Sequence, residues 1–199
     1  MADLQRHVQM IHTMGLGSET MCNIHVGGSY GNKEKAGERF ITNFMALPED
    51  IREHITLEND DKTFTAFETL DLAEQVEVPM VLDIHHHNVN NNGEDIYELW
   101  PRIMKTWVGR LAGGISAGPL PPKIHVSSPK GEKDSRSHAD YVEIEPLISF
   151  LREVAPFTEQ LDIMIEAKMK DAALFRLMKD FHNQSGVKIL SQASIEIET

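Results

Sequence analysis

Three consecutive histidines, His85, His86 and His87, follow an aspartate, Asp83, at the end of the apolar run "PMVLDIHHHN". Four other apolar segments end in a similar way. "NIHVG" carries His25, "TLEND" carries Glu58, "KIHVSS" carries Lys123 and His125, and "MIEAK" carries Glu166 and Lys168. His138 lies in the polar stretch that follows "KIHVSS". Imidazole suits Zn, Mn, Fe or Ni, and carboxylate favours Mg, Ca or Mn. A mixed set of His, Asp and Glu without thiolate points to a catalytic divalent site with open positions rather than a closed structural zinc site. So many candidates point to two or three ions, an arrangement that can clamp the attacking and leaving oxygens of a phosphodiester. A single His or Glu at a strand end is most often a hydrogen-bonded structural residue; the recurrence at five strand ends carries the metal reading. Strict alternation through "VLDIHHH" places Asp83, His85 and His87 on one face and His86 on the other.

The elements between these segments alternate. "DLQRHVQMIHTMG", "KAGERFITNFMALPEDIREH", "TFTAFETLDLAEQVE", "IYELWPRIMKTWV", "IEPLISFLREVAP" and "DAALFRLMKDFH" have helical spacing, with a break at Pro48. "TMCNIHVG", "ITLEND", "PMVLDIHHH", "PKIHVSS" and "LDIMIEAK" read as buried strands, and "PKGEKDSRSHAD" as a polar loop. The tail "VKILSQASIEIET" is ambiguous between strand and irregular chain. Alternating strands and helices imply a parallel sheet covered by helices. No glycine-rich phosphate loop follows a strand, which disfavours a doubly wound nucleotide-binding fold and predicts no nucleotide cofactor. A TIM-type βα barrel is the expected fold, with the strand ends converging on one mouth.

Composition sets the outer limits. The chain has 199 residues, 41% hydrophobic and 25% charged, which is enough for one packed domain. No apolar run is long enough to span a bilayer and no signal peptide is visible, so no membrane partner is expected. The single cysteine, Cys22, excludes an internal disulfide and suggests a reducing cytoplasm. A net charge of −12 argues against binding nucleic acid through overall charge, although bound cations would offset part of it. The one locally basic stretch beside the expected mouth carries Lys130, Lys133 and Arg136, which are candidate phosphate contacts. His7, His12, His54 and His182 fall in helix patterns or at helix ends and read as surface or packing residues; Cys22 reads as an inert thiol.

"LEND", "LDIHHHN", "KIHVSS" with a later His, and "DIMIEAKMKDAAL", in this order, resemble the UV damage endonuclease family, over about residues 20–182. The resemblance implies a TIM barrel and a metal-dependent DNA repair endonuclease acting on damaged double-stranded DNA. It implies incision 5′ to cyclobutane dimers and 6-4 photoproducts, some abasic-site incision, and manganese as the metal. Carried over by position, the implied ligands are His25, Glu58, Asp83, His86, His125, His138 and Glu166. Here the middle histidine, His86, takes the role that alternation denies it, and His85 and His87 become supporting candidates. Lys123 matches a lysine that the family carries in carboxylated form, and is grouped with Glu58, Asp83 and Glu166 as catalytic.

Only five strands are readable, against eight in a TIM barrel. Residues 1–199 are therefore expected to form one domain that is the C-terminal portion of such a barrel. An exposed strand edge, which a second copy could cover, is expected with it. The rival readings are an endonuclease IV-like abasic-site nuclease, a sugar isomerase or epimerase on the same architecture, and a metal-binding remnant without catalysis.

Overall fold

The computed structural model describes residues 2–110 and 119–198. The elements run α1 (Ala2–Thr13), β1 (Cys22–His25), α2 (Lys33–Met45), α3 (Glu49–Arg52), β2 (Ile55–Glu58), α4 (Ala66–Gln75), β3 (Met80–Asp83), α5 (Ile84–Val89) and α6 (Ile96–Thr106). They continue with β4 (Lys123–Val126), β5 (Pro129–Gly131), β6 (Asp134–His138), α7 (Ile144–Val154), β7 (Asp162–Ile165), α8 (Asp171–His182), β8 (Val187–Ile189) and β9 (Ile195–Ile197).

Local chemistry accounts for most boundaries. Asn32 caps α2 by accepting from the Lys35 amide. Thr65 and Glu68 form a reciprocal capping box at the start of α4. Gly15, at φ 70°, ends the turn after α1 in a conformation that a Cβ would strain. Pro101 lies inside α6 on an exposed position, so its ring meets solvent and not the core.

Five strands form one parallel sheet in the order β1-β2-β3-β4-β7, which follows chain order without reversal. Each crossover therefore steps the same way, and right-handed crossovers then place their helices on one side. The register sorts the two faces. His25 pairs with Glu58, Asp83 with His125, and His125 with Met164, so these side chains share one face. Lys123, Asn23 and Thr56 fall on that face as well, two residues before His125, His25 and Glu58. The opposite face carries Ile24, Leu57, Met80, Leu82, Ile124 and Ile163, and it packs against the helices. Ile55, Leu57, Met80, Leu82 and Ile124 are fully buried there. Trp107 donates to the Met80 carbonyl (2.7 Å) and Trp100 to Thr158 (2.9 Å), so both indoles are satisfied within this layer.

Burial differs along the sheet. Strands β2 and β3 are buried at every position. The outer strands β1 and β7 alternate instead, exposing Asn23 and His25 on one and Asp162 and Met164 on the other. The expectation that all five strands are buried fails at these two because neither has a second neighbour among the described residues. Two further departures concern polar segments. The stretch read as a loop forms an antiparallel hairpin, β5 with β6, and the tail forms another, β8 with β9. Among the described residues, no helix is long and apolar enough to cross a membrane.

Candidate metal centre

The third strand ends sooner than the sequence suggests. Strand β3 stops at Asp83, and the histidines occupy a short helix, α5, for which Asp83 is the N-cap. The Asp83 carboxylate accepts from the His86 amide (2.7 Å). This correction explains the middle histidine. Residues three apart share a helical face, so His86 returns to the side of Asp83, whereas strand alternation would have turned it away.

Glu58 is the hub. One of its carboxylate oxygens lies 3.1 Å from His125 Nδ1 and 3.7 Å from His86 Nδ1; the other lies 3.9 Å from His25 Nε2. His125 Nδ1 is also 3.1 Å from Glu166, and His138 Nδ1 is 3.8 Å from the other Glu166 oxygen. Two sets of ligand atoms each lie within 4.8 Å of one another: His25, Glu58 and His86, and Glu58, His125 and Glu166. Glu58 belongs to both. Strands β1, β2 and β4 and helix α5 each deliver a member, Glu166 directly follows β7, and His138 of the hairpin approaches Glu166, all at the C-terminal ends of the parallel strands.

The histidine tautomers follow from their second partners. His25 Nδ1 is 3.1 Å from the Glu58 carbonyl, and His86 Nδ1 is 2.9 Å from the Asn59 carbonyl. A carbonyl oxygen only accepts, so both Nδ1 atoms carry the proton and both Nε2 atoms offer a lone pair. That is the usual support for a ligating imidazole. His85 is different. Its Nε2 donates to the Ser135 carbonyl (2.6 Å) and its Nδ1 accepts from the Ser127 hydroxyl, so one nitrogen ties α5 to the hairpin and the other to the end of β4. His87 is buried beside Glu94 and Asp95, and burial holds its pKa down.

The charges are strongly coupled. For His125, burial alone would lower the pKa, but hydrogen bonds to Glu166 and Glu58 outweigh it and raise the value to about 9. The same contact with His125 lowers the Glu166 pKa. Asp83 is fully buried, and desolvation pushes its pKa up despite the neighbouring His86. One of its carboxylate oxygens has no hydrogen-bond partner. A buried, unpartnered carboxylate oxygen facing a His/Glu cluster is costly in an apo protein and suits a cation, so the donor set fits a divalent metal.

A prediction follows for stability. A carboxyl whose folded pKa is raised binds its proton more tightly in the folded than in the unfolded chain. The metal-free protein should therefore gain stability as pH falls through the raised folded pKa of Asp83 towards the unfolded value of about 4. Asp83→Asn keeps an oxygen for the His86 amide but cannot ionise, so it should remove that slope. Urea melts in EDTA at several pH values would check this, and a slope that persists unchanged in Asp83→Asn would contradict it.

The other sequence candidates are placed as follows. Lys123 opens β4, and its ammonium is 4.0 Å from Asp162. Lys130 pairs with Asp134 (3.8 Å) within the hairpin, Arg136 reaches Asp61 (3.9 Å), and Lys133 is exposed near the hairpin turn. Arg136, His138, Glu166 and Lys168 line an open concavity of about 420 Å³ beside the cluster. His7 and His182 are exposed, as expected. Cys22 is half-buried and burial raises its pKa, in keeping with an unreactive thiol.

Two residues were missed by sequence reasoning. Asn23 donates to Glu58 and accepts from Thr56 (2.8 Å), which fixes the hub carboxylate. Its position two residues before His25 on the same strand face was the available signal. Asn59 is fully buried and bridges the Asp83 backbone, donating to its carbonyl and accepting from its amide, both at 2.9 Å. Nothing local in the sequence marks it out.

Fold and cluster together define an α/β protein with a His/carboxylate centre at the C-terminal edge of a parallel sheet. A sequence profile described as UV-endonuclease UvdE matches residues 1–198. The chain is 42% identical over 194 residues to the UV DNA damage endonucleases of Bacillus mycoides (strain KBAB4) and Bacillus cereus (strain B4264). Each match covers 98% of this chain and 59% of the relative. The crystal structure of SacUVDE superposes with a TM-score of 0.75 at 30% identity, covering 90% of this chain and 56% of that one. The chain belongs to the UV-endonuclease UvdE family and spans 59% of the length of these curated relatives.

Proposed function

We propose that this chain carries the metal centre of a DNA repair endonuclease that cuts the backbone 5′ to UV photoproducts. The observation that supports it most is Glu58, one carboxylate shared by two ligand sets whose other members are imidazole and carboxylate. The fold reading is a sector of a (β/α)8 barrel; the edges of β1 and β7, which are unpaired among the described residues, are where further strands, from a longer chain or a second copy, would pair.

His25, Glu58, Asp83, His86, His125, His138 and Glu166 would hold two or three divalent ions, with manganese as the proposed metal. Such ions, when bound, lower the pKa of water and stabilise charge on the leaving oxygen. The chain's own residues do the positioning. Asn23 orients Glu58, the Asn59 and Glu58 carbonyls orient His86 and His25, and the hairpin brings His138 over the mouth. Lys123 lies on the same sheet face as His125, so a carboxylated Lys123 would add an anion to that face while opposing Asp162. Lys130, Lys133, Arg136 and Lys168 provide cationic contacts for DNA phosphates around a chain whose net charge is −12. Tyr30 is 87% exposed at φ 49° in the loop after β1, beside Arg39, and offers a face on which a displaced base could stack.

The test is nicking of supercoiled plasmid with Mn²⁺, using UV-irradiated, depurinated and untreated DNA side by side. UV-dependent nicking supports the proposal. Nicking confined to depurinated DNA would replace it with an abasic-site nuclease, and retention of metal without nicking of any DNA would count against catalysis by this chain.

A proton balance provides a second check. Below about 9, His125 holds a proton that a cation must displace. Metal uptake at pH 7 is expected to release protons, and affinity should rise with pH before levelling near 9. Metal titration in weak buffer with a pH indicator measures this; uptake without proton release would contradict it.

A further inference from the structure

A second pair of histidines lies away from the mouth. His12 sits in the last turn of α1, and His54 immediately precedes β2, at the end of that strand opposite Glu58. Their Nε2 atoms are 3.3 Å apart, with the rings edge-to-face and centroids separated by 5.2 Å. His54 is buried, and its Nδ1 is 2.8 Å from the Thr20 carbonyl. The carbonyl only accepts, so His54 Nδ1 carries the proton and Nε2 presents its lone pair towards His12. The His54 carbonyl also accepts from the Cys22 amide (2.6 Å), which fixes the backbone at this point. This is the second-partner support already seen at His25 and His86, repeated at the other end of the sheet. His12 is exposed, and without an ion its Nε2–H donates to His54 Nε2, so a bound ion would take the place of that shared proton.

We propose that His12 and His54 form a second metal site, selective for ions that favour imidazole, such as Zn²⁺. A tetrahedral zinc ion holds each imidazole nitrogen at about 2.0–2.1 Å, which places two such nitrogens about 3.3 Å apart. The pair already has that spacing. Among the described residues, no third His, Cys or carboxylate completes a set there, so water would fill the remaining positions. An all-nitrogen pair binds Ni²⁺, Cu²⁺ and Zn²⁺ well ahead of Mn²⁺. It lacks the carboxylates that the mixed His/carboxylate mouth offers to Mn²⁺. The bound ion would fasten the C-terminal end of α1 to the start of β2, adding a coordinate link to the apolar contacts of Val8.

The test uses the full chain, Zn²⁺ and Mn²⁺, and the variants Glu58→Gln and His12→Gln. His12 is exposed, so His12→Gln should fold normally. Equilibrium dialysis with Zn²⁺ should show Glu58→Gln binding one more ion per chain than the double variant in which His12→Gln is added. In the otherwise unchanged protein, Zn²⁺ should raise the melting temperature more than it does in His12→Gln, while Mn²⁺ should shift both equally. Equal Zn²⁺ binding with and without His12 would overturn the proposal. So would a melting-temperature loss in His12→Gln that is as large in EDTA as in Zn²⁺, since the pair would then act only as a hydrogen bond.

Discussion

Replacing Glu58 with glutamine is expected to disable both ligand sets in one step. The carboxylate is the only member common to them, and its two oxygens face His125 and His86 on one side and His25 on the other. An amide keeps the size but loses the charge, and half of it becomes a donor pointing at imidazoles. Loss of a partner that merely supports a metal ligand typically costs about 10–100-fold in affinity, so loss of the shared ligand should cost at least about 100-fold for Mn²⁺. Nicking of UV-irradiated plasmid should fall with it. The metal-free fold should survive, although His125 loses one of the two acceptors that hold its proton and its pKa should drop from about 9. Mn²⁺ titration followed by electron paramagnetic resonance, with circular dichroism as a folding control, reads both effects. An unchanged Mn²⁺ affinity would remove Glu58 from the centre of the site.

Asn59→Ala is expected to produce the largest loss of stability among the polar positions. Asn59 is fully buried, and its side chain satisfies both the amide and the carbonyl of Asp83 at the point where β3 turns into α5. Alanine leaves the buried Asp83 amide without a partner and takes one bond from the Asp83 carbonyl, which as the cap of α5 keeps its first helical bond, so a loss of about 1–3 kcal/mol is expected. The consequence reaches the site, because Asp83 caps α5 and α5 positions His86. Metal affinity should therefore fall even though residue 59 offers no side-chain ligand. Asn59→Asp should be damaging in a different way. It keeps the acceptor for the Asp83 amide, loses the donor to the Asp83 carbonyl, and adds an anion next to a carboxyl that already resists ionisation. Denaturant unfolding of the three proteins in EDTA would rank them, and an Asn59→Ala protein as stable as its parent would show that water replaces the bridge.

The sequence by itself determined the alternation of strands and helices, the five parallel strands and the identity of the clustered side chains. It could do so because period-two and period-3.6 patterns are local, and because a polar residue ending an apolar run has few reasons to be there. The family resemblance, carried by "LEND", "LDIHHHN" and "EAKMKD", was legible for the same reason, and the chain's membership of the family bears it out. What only the tertiary structure decided was direction and partnership. Whether His86 or its neighbours face Asp83 depends on where β3 gives way to α5, and that boundary is set by a cap and by the Asn59 bridge from another strand. The hairpin that carries His138 is stabilised by pairing and by the His85 ring rather than by apolar periodicity, so its polar residues read as loop. Glu58 could be listed as a ligand from its position, but its rank as the shared one emerges only when β1, β4, α5 and β7 are set around it. Long-range pairing leaves no mark on the spacing of the residues that it joins, and that is why the site's members were readable and its organisation was not.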